Sequence, residues 1–241
     1  MNNKEIKNED NISEKKYIED KLRKTQIFLE TGGITTSIYP KALKKKLFPA
    51  LSNADLVSNL KMDEVGKYSI SLPRTAEIIT KIINDHINKI STFKDKQITI
   101  TDATAGIGGN TISFAQKFHR VNSVELNYNR YLFLVNNINI YNLENINVYN
   151  KDYIQIMQTL KQDVLFIDPP WGGKSYKKKK KINIKLSQMS LETICQNMKD
   201  KCKLIVLKIP LNYDIDNFIK SINATIYQYK IRKMYIFILE F

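Results

Sequence analysis

The chain has 241 residues, 43% hydrophobic and 26% charged, a balance that suits one folded domain with appendages and excludes a disordered chain. No apolar run reaches the roughly 18 residues of a membrane-spanning helix, and the opening residues, Met1 to Asp10, lack both an apolar signal core and an acid-poor transit composition, so a soluble intracellular protein is expected. A net charge of +14 points to a polyanionic partner, while two cysteines, Cys195 and Cys202, are too few for a disulfide framework or a zinc site.

Residues 1–40 read as a charged arm, disordered or loosely helical, in which Tyr17, Leu22, Ile27 and Phe28 give weak helical spacing. Residues 41–72 read as a helical extension. It holds a basic helix over 41–48 stopped by Pro49, then a short helix over 53–60 with Asn53 as its N-cap. Pro73 suits the first turn of a longer helix to about residue 90. There Ile78, Ile79, Ile82, Ile83, Ile87 and Ile90 follow the spacing of a buried face, and His86 at its edge reads as a packed residue. Within residues 73–241, strands are expected at 98–101, 121–125, 146–149, 164–167 and 204–209, separated by helices at 111–118, 128–141, 153–160 and 186–198. Short apolar strands alternating with helices indicate a parallel sheet covered on both faces. After a helix over 215–222, strands over 224–231 and 235–241 are too close for anything but an antiparallel hairpin. This α/β plan, a mostly parallel seven-stranded Rossmann-like sheet with a C-terminal antiparallel hairpin, is that of a class I AdoMet-dependent methyltransferase.

Two segments carry chemistry. The first strand runs into Thr101-Asp-Ala-Thr-Ala-Gly-Ile-Gly-Gly-Asn110, where glycines permit a tight turn and close backbone approach to a ligand. The crevice beyond the carboxyl ends of the strands is where an open α/β sheet binds its cofactor. Asp102 suits a ligand with a cationic amino group, and Ala103, Thr104, Gly106, Gly108 and Asn110 line the turn. Glu125, ending the second strand, can accept both hydroxyls of a ribose, and Asp152 after the third can accept from an adenine amine or orient its loop. Tyr153 beside it is a candidate flank for the adenine. A generic tight turn or an NAD site remains the alternative for the glycines alone.

The second segment is Val164-Leu-Phe-Ile-Asp-Pro-Pro-Trp-Gly-Gly173. Prolines fix the backbone and remove N–H groups, leaving carbonyls to accept. Asp168, the rigid Pro169 and Pro170, and the aromatic plate of Trp171 form a device for a planar base bearing an exocyclic amine. Acceptance of the amine hydrogens by Asp168 and the Pro169 carbonyl would turn its lone pair toward a methyl sulfonium. Catalysis would then be alignment, with no strong base required.

Asp102–Asn110, Glu125 and Asp168-Pro-Pro-Trp-Gly-Gly173 resemble the trimethylguanosine synthase family, which methylates guanine N2 in RNA caps. Tyr68-Ser-Ile-Ser71, Tyr176 and Pro210-Leu-Asn212 extend the resemblance, which runs from about Lys41 to the C-terminus. It implies S-adenosyl-L-methionine as cofactor, with Ser71 and Asp168 joining the residues around it. It also implies m7G-capped RNA as partner, with Ser69, Trp171, Tyr176, Lys174, Lys208 and Asn212 on the substrate side. Two positions depart from the family: Asp168 stands where the cellular enzymes usually carry Ser, and Leu211 where they carry an Arg that meets cap phosphate. Lys208 or residues 174–185 are the candidate replacements for that Arg. The alternatives are an amino methyltransferase acting on DNA or internal RNA, and a non-catalytic cap-binding subunit.

The charge agrees with a cap. Residues 82–173 are net neutral, whereas 174–241 carry +10 and 31–81 carry +4. Lys174, residues 177–181 and Lys185 follow Trp171 directly, and residues 44–46 offer a second basic patch. A monomer without metal is expected, nuclear if cellular, or in host cytoplasm if it belongs to a large DNA virus.

Overall fold

A computed structural model describes residues 39–241; the N-terminal arm with Tyr17, Leu22, Ile27 and Phe28 lies outside them. Three short helices come first: α1 (Lys41–Leu47), a 3-10 turn (Ala54–Asn59) capped by Asn53, and α2 (Glu64–Ser69). The long amphipathic helix α3 (Pro73–Ile87) follows. Then come β1 (Thr99–Asp102), α4 (Gly109–Ala115), β2 (Arg120–Val124), α5 (Tyr128–Ile140), β3 (Ile146–Tyr149), α6 (Tyr153–Ile156) and β4 (Val164–Ile167). The chain ends with a 3-10 turn (Gly173–Lys178), β5 (Lys185–Leu186), β6 (Met189–Ser190), α7 (Leu191–Met198), β7 (Leu204–Pro210), α8 (Ile215–Ser221), β8 (Thr225–Ile231) and β9 (Met234–Glu240).

Seven strands form one sheet in the order β3-β2-β1-β4-β7-β9-β8, and β5 and β6 form a separate small hairpin. The first five pair in parallel, and β9 runs antiparallel between β7 and β8. Strand order reverses between β1 and β4, which leaves a crevice at their carboxyl ends. Both faces of the sheet are buried at its central strands β4 and β7. Val164, Phe166, Leu204 and Val206 pack with Ile79, Ile83, Ile87 and Phe114 on one side. Leu165, Ile167, Ile205 and Leu207 pack with Leu191, Ile194, Met198 and Phe218 on the other. This alternation explains the unbroken apolar runs of β4 and β7.

The strands fall within about a residue of their expected places, and three helical expectations are corrected. The long helix stops at Ile87, so Ile90 caps the next 3-10 turn and only Ile79, Ile83 and Ile87 of the stripe are fully buried. Its His86 is buried beside Tyr229, whose hydroxyl lies 2.5 Å from Nε2. The 186–198 helix begins only at Leu191, because Ser187 turns the chain at a φ of 54° and Ser190 caps α7 through the Thr193 N–H. The 153–160 helix shortens to a single turn, α6. Helix α2, absent from the sequence reading, is started by Asp63, whose carboxylate accepts the Gly66 N–H at 2.6 Å.

The helices before α3 are held onto the sheet domain by Asn137, a fully buried residue of α5. Its Oδ1 accepts from Lys61 N at 2.8 Å, and its Nδ2 donates to Lys61 O and to Ile107 O, each at 2.9 Å. Ile107 lies inside the glycine turn, so one amide side chain ties that turn to the chain ahead of α2. Nearby, Tyr141 Oη donates to Pro49 O at 2.5 Å. Asn137→Ala would strand these buried backbone groups at a cost of about 2–4 kcal/mol. Thermal denaturation should then show the melting temperature lowered by roughly 5–15 °C; an unchanged melt would contradict the clamp.

Candidate active site

The glycine turn is built on β1. Ala103 N donates to Phe166 O and Ala105 N to Val124 O, each at 2.9 Å, so the chain leaves the sheet between β4 and β2. Gly108, the N-cap of α4, has a φ of 105°, which a side chain would strain. At Gly109 space is the limit: a Cβ there would lie 2.6 Å from Ile70 Cγ1 and 2.9 Å from Ser71 O. The segment just before α3 therefore lies directly on the start of α4.

Asp102 is wholly buried, and among the described residues no cation lies within 4 Å of it. Its Oδ1 accepts the Thr104 N–H at 3.3 Å and its Oδ2 the Thr111 hydroxyl at 2.8 Å, while Ser123 Oγ lies 3.0 Å from Thr111 Oγ1. Burial pushes the Asp102 carboxyl up to about 7, the two donors pulling the other way. Asn110 supplies a second clue, a buried Oδ1 with no hydrogen-bond partner among the described residues. A desolvated carboxylate and an orphan acceptor on one turn are suited to a cationic amine.

Glu125 is buried at the end of β2, where Oε2 accepts Gly106 N at 2.9 Å and Oε1 accepts Asn127 N at 2.8 Å. Oε2 keeps a second lone pair for a ribose hydroxyl. Arg130, which sequence reasoning missed, bridges Glu125 Oε1 at 3.3 Å and Asp63 Oδ2 at 3.4 Å, joining the α2 cap to this carboxylate. Its position three residues after the Asn127 cap was the available signal. Asp152 takes the loop-orienting option: Oδ1 accepts Ile154 N at 3.0 Å and Oδ2 the Ser187 hydroxyl at 2.6 Å. Tyr153, expected beside an adenine, is instead buried in the core with its hydroxyl on Gln162.

The Asp-Pro-Pro-Trp loop leaves the neighbouring strand β4, and Asp168 N donates to Thr104 Oγ1 at 2.8 Å. Asp168 Oδ2 is 2.5 Å from Lys208 Nζ. Burial pushes the Asp168 carboxyl up, a rise that the Lys208 ammonium offsets only in part. Pro169 is buried, Pro170 exposed and Trp171 half-buried, with its indole N–H donating to Lys208 O at 3.3 Å. Tyr176 meets Trp171 edge-on, with centroids 5.3 Å apart and planes at 84°. The two rings make an aromatic corner beside the Asp168 carboxylate.

Of the substrate-side residues, Trp171, Tyr176, Asp168 and Lys208 converge. Asn212 and Ser69 take different duties, and Lys208 is held otherwise than as a phosphate contact. Asn212 Nδ2 donates to Tyr176 O at 2.9 Å and Lys179 O at 2.8 Å, so its amide nitrogen holds the 3-10 turn in place. Ser69 turns its hydroxyl back to Val65 O in α2. Lys208, a candidate phosphate contact, is buried with its ammonium on Asp168 and on Ser71 Oγ, 3.0 Å away. Lys174 begins the turn after Gly173. In the basic patches, Lys44 is buried with Nζ on Ser58 O, and Lys181 is paired to Asp214 and Asp216. That leaves Lys45, Lys46, Lys177, Lys178, Lys179, Lys180 and Lys185 exposed.

The model of one protein family, RNA cap guanine-N2 methyltransferase, matches residues 97–240, a span holding both the glycine turn and the Asp-Pro-Pro-Trp loop. The chain belongs to that family. A protein of Acanthamoeba polyphaga mimivirus is 34% identical over 220 residues, 83% of this chain and 86% of its own length. The trimethylguanosine synthase of Schizosaccharomyces pombe is 30% identical over 147 residues, 57% of each chain. Two solved structures share the fold. A methyltransferase of Porphyromonas gingivalis gives a TM-score of 0.54 at 14% identity, covering 78% of this chain and 45% of that one. A 16S rRNA N2 methyltransferase of T. thermophilus, in complex with AdoMet and guanosine, gives 0.53 at 12%, covering 75% and 43%.

The cofactor of this methyltransferase is S-adenosyl-L-methionine. The residues present fit it: Asp102 and the orphan Asn110 Oδ1 for its amino group, and Glu125 for its ribose. Because an Asp102 carboxyl near 7 must ionise to meet a cation, cofactor affinity should rise with pH. Calorimetric titration should show binding tightening about 10-fold or more between about pH 5.5 and 7.5. Asp102→Asn should bind weakly with a flat profile; an equally flat wild-type profile would contradict this role.

Proposed function

We propose that the protein transfers a methyl group from S-adenosyl-L-methionine to the exocyclic N2 of a 7-methylguanosine RNA cap, giving 2,7-dimethyl- or 2,2,7-trimethylguanosine caps, with one S-adenosyl-L-homocysteine and one proton released to solvent per methyl added. The observation that carries this reading is the aromatic corner of Trp171 and Tyr176 beside the Asp168 carboxylate, bonded through Thr104 to the turn that holds the cofactor.

S-adenosyl-L-methionine, when bound, supplies an electrophilic methyl group carried on a sulfonium. The chain supplies position. Trp171 offers a face on which a base can stack, worth about 1–3 kcal/mol, and a cationic 7-methylguanine gains further from the indole quadrupole. Asp168 Oδ1 and the Pro169 carbonyl are acceptors for the two amine hydrogens. Their pull orients the nitrogen lone pair, and alignment of this kind supplies most of the rate. The exposed lysines of the 3-10 turn, with Lys185, would meet the triphosphate, and Lys45 and Lys46 the chain beyond it. On this reading residues 41–72 contribute to the cap site through α2 and Ser71. The mimivirus relative supports a viral setting.

Trp171 is the chain's one tryptophan, so its fluorescence reports the pocket. m7GDP should quench it at far lower concentration than GDP, and label from S-adenosyl-L-methionine should pass to m7G-capped RNA and not to unmethylated caps. Trp171→Ala should weaken m7GDP binding, measured by calorimetry, by about 10-fold or more. Equal responses to GDP and m7GDP would overturn the cap reading, and binding without transfer would favour a non-catalytic cap-binding subunit.

A further inference from the structure

Lys208 lies on β7, with 6% of its side chain exposed, and a lysine so placed needs a reason. The sheet register explains how it reaches the site. Ile167 on β4 pairs with Leu207 on β7, so Asp168, the first residue past β4, comes beside Lys208, which is still within β7 and paired with Ile236 on β9. The pair is not needed for folding as such, since apolar residues in place of a buried ion pair are often neutral or stabilising.

What the ammonium touches suggests its task. Nζ donates to Asp168 Oδ2 at 2.5 Å and to Ser71 Oγ at 3.0 Å, and lies 5.6 Å from the centre of the Trp171 ring. The same residue's carbonyl accepts the indole N–H. Lys208 therefore reaches the carboxylate, the aromatic plate and the segment lying over the cofactor turn. Among the described residues Asp168 Oδ1 has no partner, so one carboxylate oxygen is tied down and the other is left open.

We propose that Lys208 is the positioning residue of the base grip: its ammonium holds the Asp168 carboxylate with Oδ1 toward the amine, and its carbonyl sets the plane of Trp171. This rests on the N2-methyltransferase reading and deepens it. An unpaired ammonium near Trp171 would repel a cationic base, whereas the Lys208–Asp168 pair is neutral and leaves the ring to its ligand. It also accounts for an aspartate where the cellular enzymes resembled by this chain usually carry serine. A serine needs no counter-ion, while a buried aspartate does.

The test uses the full chain as wild type, Lys208→Met, Lys208→Arg and the double variant Asp168→Ser/Lys208→Met, each checked for a cooperative melt. The first readout is the pH dependence of Trp171 emission without substrate, so it decides the pairing whether or not the cap reading holds. The titratable groups around Asp168 are Lys208, Asp102 and, across the indole, Tyr176. Asp102 and Tyr176 are common to wild type and the Lys208 variants, so a difference among these reports the pair. Lys208→Met should show a transition displaced to higher pH than any that wild type and Lys208→Arg show, because without the ammonium burial raises the Asp168 carboxyl further. Identical emission profiles would overturn the proposal.

The second readout is methyl transfer to m7GDP. Lys208→Met should lose about 100-fold in kcat, shift the acid limb of the rate profile toward higher pH and change the cofactor KM little. Removing both partners should restore at least about 10-fold of that loss, as expected when a stranded charge is removed. A double variant no better than Lys208→Met would also overturn it. If wild type transfers nothing to m7GDP, the cap reading fails and the emission profiles still judge Lys208.

Discussion

The hydrogen bond from the Asp168 N–H to Thr104 Oγ1 joins the two loops on which any chemistry here depends. One loop ends β1 and the other ends β4, adjacent strands that separate at the point where strand order reverses. Without a tie, loops at that crevice would move independently, and a displacement of about 1 Å between reacting groups can cost 100-fold in rate. A threonine side chain between β1 and α4 thus fixes the base-facing loop against the cofactor-facing one. Asn137 extends the same frame to the helices before α3, and Arg130 links the α2 cap to Glu125.

Two carboxylates, Asp102 wholly buried and Asp168 mostly so, sit in this frame under different conditions. Asp102 has donors but no cation, and burial brings its carboxyl up to about 7. Asp168 has Lys208. On the proposed reading the contrast matches two tasks: Asp102 would meet the cationic amine of the cofactor, whereas Asp168 would meet a neutral amine and carries its own counter-charge. Exposed lysines lie elsewhere, among them Lys177 and Lys178 on the turn after Trp171 and Lys45 and Lys46 on α1, where phosphates and not the reacting nitrogen would meet them.

Much of the fold was legible because buried parallel strands are short apolar runs, and those runs are interrupted by caps and glycines. The C-terminal hairpin was legible for a similar reason, two apolar runs too close for any other connection. What the sequence hid was mostly short or relational. Strands of two residues, Lys185–Leu186 and Met189–Ser190, carry no period, and a six-residue helix containing Gly66 carries no helical signal. The glycine turn and the Asp-Pro-Pro-Trp loop could be read from composition, but the partners of their side chains could not. Lys208 looks like a phosphate ligand until the β4–β7 register sets it beside Asp168, and Asn212 until its amide is found on the backbone of the Tyr176 turn. Tyr153 follows Asp152 in sequence, yet α6 turns it into the core.

The central claim is that the site grips a base by its exocyclic amine and delivers the methyl group there. It can be tested with two nucleotides that share a positively charged, N7-methylated ring and differ in that amine. Labelled S-adenosyl-L-methionine is incubated with m7GDP or with 7-methylinosine diphosphate, which lacks the 2-amino group. The account predicts that both nucleotides quench Trp171 and that label passes only to m7GDP, at N2. Comparable labelling of the inosine analogue would place the methyl on another atom and contradict the account.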